Sequence, residues 1–298
     1  MLEQQELRTK LWTKSFIALT ISALFLFMNL QMLLSSFPSY VKSEFQAGDI
    51  MVSLVTSVFA LTAIASRFMT AFLMRKVSRN VLLYIGLAIA AAITGLYVVA
   101  DSIGSLLLMR VGYGIGFGIA STIIPTIVSQ IIPSKRMGEG IGYFGLSTSL
   151  AMSIGPMIGL NVMKQSGFGT LAMIGMITLL LAFPVLLFSR SLPAQPKKQP
   201  TPNQSESTKP LKVPFNTKLV LPAILNVMLA ITYGGLLSFI ALFGESVHLE
   251  QVGLFFLFNA VTIIIIRPIS GRLFDKRGPA SVLIPAAVCV VASLTVLS

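Results

Sequence analysis

Nine apolar stretches, each long enough to cross a bilayer, dominate this chain: roughly 15–38, 50–73, 80–99, 104–131, 140–162, 169–189, 219–243, 252–270 and 281–297. About 20 helical residues span the hydrocarbon core. No water satisfies the backbone there, so a stretch that is apolar all round must close its own hydrogen bonds as an α-helix. A barrel strand would alternate in polarity instead. Hydrophobic residues make up 55% of the chain and charged residues only 11%, against about 25% charged in soluble domains. The first stretch is too long for a signal peptide, and no small-residue cleavage site follows it. The expectation is an all-α, multi-pass membrane protein.

The net charge of +12 would suit a nucleic-acid binder if it were gathered on one face. It is instead spread over alternate loops. Arg8, Lys10 and Lys14 precede span 1; Arg75, Lys76 and Arg79 lie between spans 2 and 3; Lys135 and Arg136 lie between spans 4 and 5. Arg190, Lys197, Lys198, Lys209, Lys212 and Lys218 separate spans 6 and 7, and Arg272, Lys276 and Arg277 separate spans 8 and 9. The opposite loops hold Lys42 and Lys164 beside Glu44, Asp49, Asp101, Glu245 and Glu250. This positive-inside bias puts the N-terminus and the basic loops in the cytoplasm of a cell-membrane protein, and no nucleic-acid partner is expected.

Residues 191–218 are rich in Pro, Lys, Ser and Gln and cannot bury a core. They read as a cytoplasmic linker between a six-helix bundle, 1–190, and a three-helix part, 219–298. Arg67 to Ser78 and Arg267 to Gly278 are similar stretches, each leaving an apolar span through a short basic loop. Such duplication is how many secondary transporters are built. Cys289 is the single cysteine and His248 the single histidine. An intrachain disulfide and a Cys/His metal cluster are therefore excluded. Cys289 reads as a small packing residue and His248 as a solvated loop residue or a pH-sensing group at the outer mouth. No phosphate-binding glycine loop or nucleophilic triad is present, so neither an enzyme nor a cofactor is expected.

Arginine within hydrocarbon costs roughly 2.5–3.5 kcal/mol or more, which singles out Arg67, Arg110 and Arg267. Arg67 and Arg267 sit near the cytoplasmic ends of their spans, where snorkelling to the headgroups suffices. Arg110 has no other charge in its span and is the candidate cavity or coupling residue. Asn29, Gln31, Tyr113, Asn226 and Tyr233 are candidate cavity-wall residues, or interhelical hydrogen-bonding ones. Gly112, Gly114, Gly116 and Gly118 allow another helix to approach span 4 closely.

Three motifs carry a resemblance. Gly271, Asp275, Lys276 and Gly278 meet a loop signature G-x-x-x-D-R/K-x-G, whereas its first-half counterpart holds Ala71, Arg75, Lys76 and Ser78, a base replacing the acid. Arg110 and Gly114 meet a helix 4 signature, with Tyr113 where Gln is usual. Ala151, Gly155, Pro156 and Gly159 meet the helix 5 signature small-x-x-x-G-P-x-x-G, and span 1 ends in a Pro-x-Tyr at Pro38 and Tyr40. In these the chain resembles the major facilitator superfamily, and within it the drug:proton antiporter type of exporter.

The resemblance implies two six-helix bundles around a central cavity, twelve helices in all, working by alternating access. Six plus three are found here, so the chain reads as C-terminally truncated and is expected not to transport by itself. It further implies gating roles for Gly271, Asp275, Lys276, Gly278, Arg75 and Lys76, with Asp275 meeting the start of helix 5 around Met137 to Gly142. Arg110 is expected to point into the bundle, towards Asn29 or a backbone carbonyl. The implied partners are the lipid bilayer, a small hydrophobic or amphipathic solute, and protons as coupling ion. No Asp or Glu lies in the middle of any span, so the proton carrier is not evident. A small-metabolite importer, or a membrane protein that does not transport, stays open as an alternative.

Overall fold

The computed structural model of the chain describes residues 10–188, 217–232 and 252–297. The first helix, α1 (Lys14–Phe45), starts where the Thr13 hydroxyl accepts a hydrogen bond from the Phe16 amide at 3.2 Å. It runs through Pro38 and stops at Gln46, whose φ is 47°. Span 1 was expected to end at 38. Its 32 residues make a helix of about 48 Å, longer than a hydrocarbon core of about 30 Å. The added turns carry Lys42 and Glu44, which belong in the headgroup region.

Next come α2 (Asp49–Leu73), α3 (Arg79–Leu96, continued by one 3-10 turn to Val99) and α4 (Ile103–Ile131). Ser78 caps α3, and Ser102 with Ser105 forms a reciprocal cap on α4. Lys42 and Asp49 pair at 2.7 Å across the α1–α2 turn, both exposed; such a pair contributes little. Spans 5 and 6 meet without an intervening loop in α5 (Met137–Leu180), which breaks at Gly167, φ 79° and ψ 171°. That backbone conformation is open to glycine and strained for other residues. A short α6 (Ala182–Phe188) follows.

Packing divides the chain into two compact units, residues 1–195 with 260–298, and residues 196–259. In the second, the described part is a 3-10 turn at Thr217–Leu219, helix α7 (Val220–Thr232) and the start of α8 (Val252–Arg277). The remainder of α8 and α9 (Ala280–Leu297) belong to the first unit. Among the described residues, five helical stretches are long and apolar enough to cross a membrane, the fifth being the 55-residue run Ser134–Phe188.

Within the first unit α1 packs chiefly on α5, while α4 packs on α2 and α3. Leu19, Leu26 and Leu33, seven apart on α1, are all fully buried. The span 4 glycines split between two neighbours: Gly116 lies against Gly86 and Ala90 of α3, and Gly114 and Gly118 lie against Phe59, Ala63 and Ser66 of α2. The Ser66 hydroxyl donates to the Ile115 carbonyl at 3.0 Å across the α2–α4 seam. On the other side of α2, Leu61, Ile64, Phe68 and Phe72 are exposed at helical spacing. A soluble protein rarely leaves such a stripe bare; a membrane helix presents it to lipid or to another bundle.

The charge bias makes the first prediction. In a Cys289→Ser background, Lys76→Cys should react with a membrane-impermeant thiol reagent only from the cytoplasmic side and Asp49→Cys only from the outside. Labelling of both from outside would refute the orientation.

Candidate functional site

The C-terminal end of α8 closes on the start of α5. Arg136, the residue that precedes α5, supplies no side-chain cap, so the first amides of α5 are left for another partner. Asp275 provides it from α8: one carboxylate oxygen accepts from the Gly138 amide at 2.6 Å and the other from the Glu139 amide at 2.8 Å. A carboxylate there also meets the positive end of the helix dipole. The α8 chain ends at Gly278, φ 79°, whose amide donates to the Phe274 carbonyl at 2.9 Å. That C-terminal stop holds the last turn, and Asp275 with it, against α5.

Around this contact an ion-pair network has formed that motif reasoning passed over. The Glu139 side chain, 8% exposed, accepts from Arg136 Nε at 2.7 Å and from Arg272 Nε at 3.0 Å. Arg272 also donates to the Tyr143 hydroxyl at 3.3 Å. Tyr143 in turn packs on Trp12, ring centroids 4.7 Å apart. The signal was present in the sequence as the single acid, Glu139, in an otherwise basic α4–α5 loop region.

Glycine makes the approach possible. A Cβ at Gly271 would stand 2.5 Å from the Gly138 carbonyl oxygen, and the Arg267 guanidinium lies directly over Gly145. Gly271→Val should therefore force α8 off α5 and break both Asp275 bonds. Disulfide trapping between cysteines placed at Met137 and Phe274 is expected to fall several-fold in that variant, and unchanged trapping would show that the seam tolerates a side chain. Lys276 is exposed, as are Arg75 and Lys76; the Arg75 guanidinium lies 5.7 Å over the Phe72 ring.

A second cluster lies inside the bundle. Arg110 is 0% exposed, and its Nε donates to the Val55 carbonyl of α2 at 2.9 Å. Its guanidinium carbon sits 4.3 Å from the Phe37 ring centre, 4.7 Å from Phe59 and 6.0 Å from Tyr113. Cation–ring contacts of this kind are worth about 2 kcal/mol or more when desolvated. The Tyr113 hydroxyl donates to Asn29 Oδ1 at 2.6 Å. Arg110 therefore reaches a carbonyl of α2, while Asn29 is taken by Tyr113. These three residues lie in the packed interior rather than on an open wall. Tyr97, Phe37 and Phe59 complete the cluster and carry no sequence motif.

The remaining candidates fall elsewhere. Gln31 is half-buried on α1, where α5 crosses it: Gly155 lies against the Gln31 side chain and Gly159 directly under the Met32 carbonyl. Ala151 is fully buried, and Pro156 sits inside the helix between the two glycines. In place, the G-P-x-x-G signature is a close-packing seam between α5 and α1. Asn226 is exposed on α7, and Tyr233 and His248 lie outside the described residues.

The Major Facilitator Superfamily model matches residues 19–298 of the chain. The chain belongs to this superfamily. No curated protein matches it in sequence. Among solved structures, a peptide transporter, POT, in complex with alafosfalin is similar with a TM-score of 0.57 and 14% identity, over 79% of this chain and 50% of that one. A bacterial homologue of the human drug peptide transporters PepT1 and PepT2 is similar with a TM-score of 0.53 and 14% identity, over 95% of this chain and 56% of that one. At such identities the likeness is one of fold. The chain spans about half the length of these major facilitator transporters.

Proposed function

We propose that this major facilitator member exports a small hydrophobic or amphipathic solute by alternating access, with protons moving inward as the drive, and that the Asp275 contact is its cytoplasmic latch. The observation that carries the reading is the Asp275 carboxylate spread across the Gly138 and Glu139 amides. It joins the α8 end to the α5 start, two elements that must separate whenever a central site opens to the cytoplasm. Charge-assisted bonds of this type contribute about 1.5–3 kcal/mol each, enough together to bias a two-state equilibrium strongly without freezing it. The α5–α1 glycine seam supports the exporter type, since it stands where that type carries its helix 5 signature. No Asp or Glu lies mid-span among the described residues, so the proton carrier is assigned to none of them.

The test is solute flux. The natural protein, purified from membranes and reconstituted in liposomes, should move lipophilic fluorescent cations or amphipathic dyes when a proton gradient is imposed, and should stop when a protonophore collapses it. Flux that ignores the gradient would remove the proton, and flux down a panel of polar metabolites alone would make the protein an importer-type carrier.

A further inference from the structure

The Arg110 cluster has more donors than acceptors. Nε is used by Val55, but Nη1 and Nη2 have no hydrogen-bond partner among the described residues, and neither do the Tyr97 hydroxyl and the Asn29 amide nitrogen. Arg110, Tyr97 and Asn29 are each 0% exposed. The Tyr97 hydroxyl lies beside the guanidinium, whose charge and N–H groups act on its oxygen, and its own proton has no acceptor. Asn29 is tied in through Tyr113, while its own amide nitrogen lies towards Gly175 of α5. Native interiors rarely leave one buried donor unpaired, and here the unpaired groups of Arg110 and Tyr97, one of them a cation, lie together.

We infer that this cluster is a binding site for a small monovalent anion, of the size of chloride or a single carboxylate. The Phe37 and Phe59 rings attract the guanidinium but cannot neutralise it, and Nε is occupied. What remains without a partner is the Nη edge, beside the Tyr97 hydroxyl. A water could accept from the guanidinium and donate to the Tyr97 oxygen, but it would leave the charge uncancelled; an anion accepts from both groups. It also cancels a charge for which the described part of the bundle has no carboxylate, since Glu44, Asp49, Asp101, Glu139 and Asp275 all sit at helix ends. Arg110 is the eighth residue of α4, about 10 Å from its start, a depth at which an uncompensated charge is costly. Because the three donors are sealed by α1, α2, α3 and α4, exchange of the anion requires those helices to part. The inference stands on this geometry and does not depend on the transport reading.

The experiment compares thermal unfolding of the purified full chain in detergent at constant ionic strength, with sodium chloride, bromide or formate replacing sodium gluconate, alongside the ³⁵Cl NMR linewidth. A saturable rise in melting temperature with the small anions, absent with gluconate, is expected, with chloride line broadening that bromide or formate reverses. Formate acting where the halides do not would assign the site to a carboxylate-bearing ligand; the halides acting alone would assign it to an inorganic ion. Tyr97→Phe keeps the ring that packs on Phe37 and removes one donor, so it should weaken the anion effect about tenfold. Arg110→Gln should abolish the effect, and Tyr84→Phe, at the distant α3–α6 contact, should leave it unchanged. Equal stability and linewidth in chloride and gluconate would overturn the inference, as would an anion effect that Tyr97→Phe leaves intact.

Discussion

Asp275→Ala should unlatch the cytoplasmic side. The substitution removes both acceptors from the Gly138 and Glu139 amides and leaves the start of α5 without a cap. Water replaces part of what is lost, so a net cost of about 3 kcal/mol to the closed arrangement is expected, which is about two orders of magnitude in its population relative to the open one. The measurement is the labelling rate of Ser270→Cys, a near-isosteric change at a half-buried position of α8, from the cytoplasmic side in the Cys289→Ser background, which should rise by at least tenfold. Flux should fall with it, because a transporter that cannot close one side cannot alternate. Asp275→Asn keeps the acceptor geometry at one oxygen and loses the charge, and it should fall between wild type and alanine. A labelling rate in Asp275→Ala equal to that of the parent would show that Glu139, Arg136 and Arg272 hold the closed arrangement without it.

Arg110→Met should separate stability from function. The arginine is fully buried with one hydrogen bond and three ring contacts. Replacing a buried charge by an apolar side chain of similar volume is often neutral or stabilising by about 1–4 kcal/mol, because the desolvation cost disappears. Phe37 and Phe59 would pack on the thioether as they do on the guanidinium. The melting temperature of Arg110→Met in detergent should therefore match or exceed that of the parent, while flux is lost altogether. Arg110→Lys should be nearly as impaired, since a point charge on a flexible stem cannot bond the Val55 carbonyl and stack on two rings at once. Normal flux by Arg110→Met would make the arginine dispensable; a strongly lowered melting temperature would make it a structural element.

How much of this was legible beforehand follows from which forces act locally. The all-helical membrane architecture could be read directly, because hydrocarbon forces any long apolar segment to satisfy its own backbone. The break between spans 5 and 6 could be placed to a few residues by the polar run Lys164–Gly167, although not its form, a single glycine turn with no loop. Span 1 was drawn only to 38, about the length a bilayer core needs, whereas Ser39 to Phe45 continue the helix beyond the core.

The sites divide the same way. Asp275 announces itself through its spacing from Gly271 and Gly278, the one needed where α8 meets α5 and the other where α8 stops. The partners of Glu139 did not, because Arg272 lies more than a hundred residues away and only the α5–α8 approach brings them together. Arg110 was marked out by cost as well as by the helix 4 signature: a cation in an apolar run must have company. Which company it keeps was decided by the tertiary structure, since Phe37, Phe59 and Tyr97 come from α1, α2 and the end of α3, and each is an ordinary apolar or aromatic residue in its own helix. Hydrophobicity along one helix tells that it is in the membrane; which faces of four helices converge depends on packing, and packing is a property of pairs that no single span contains.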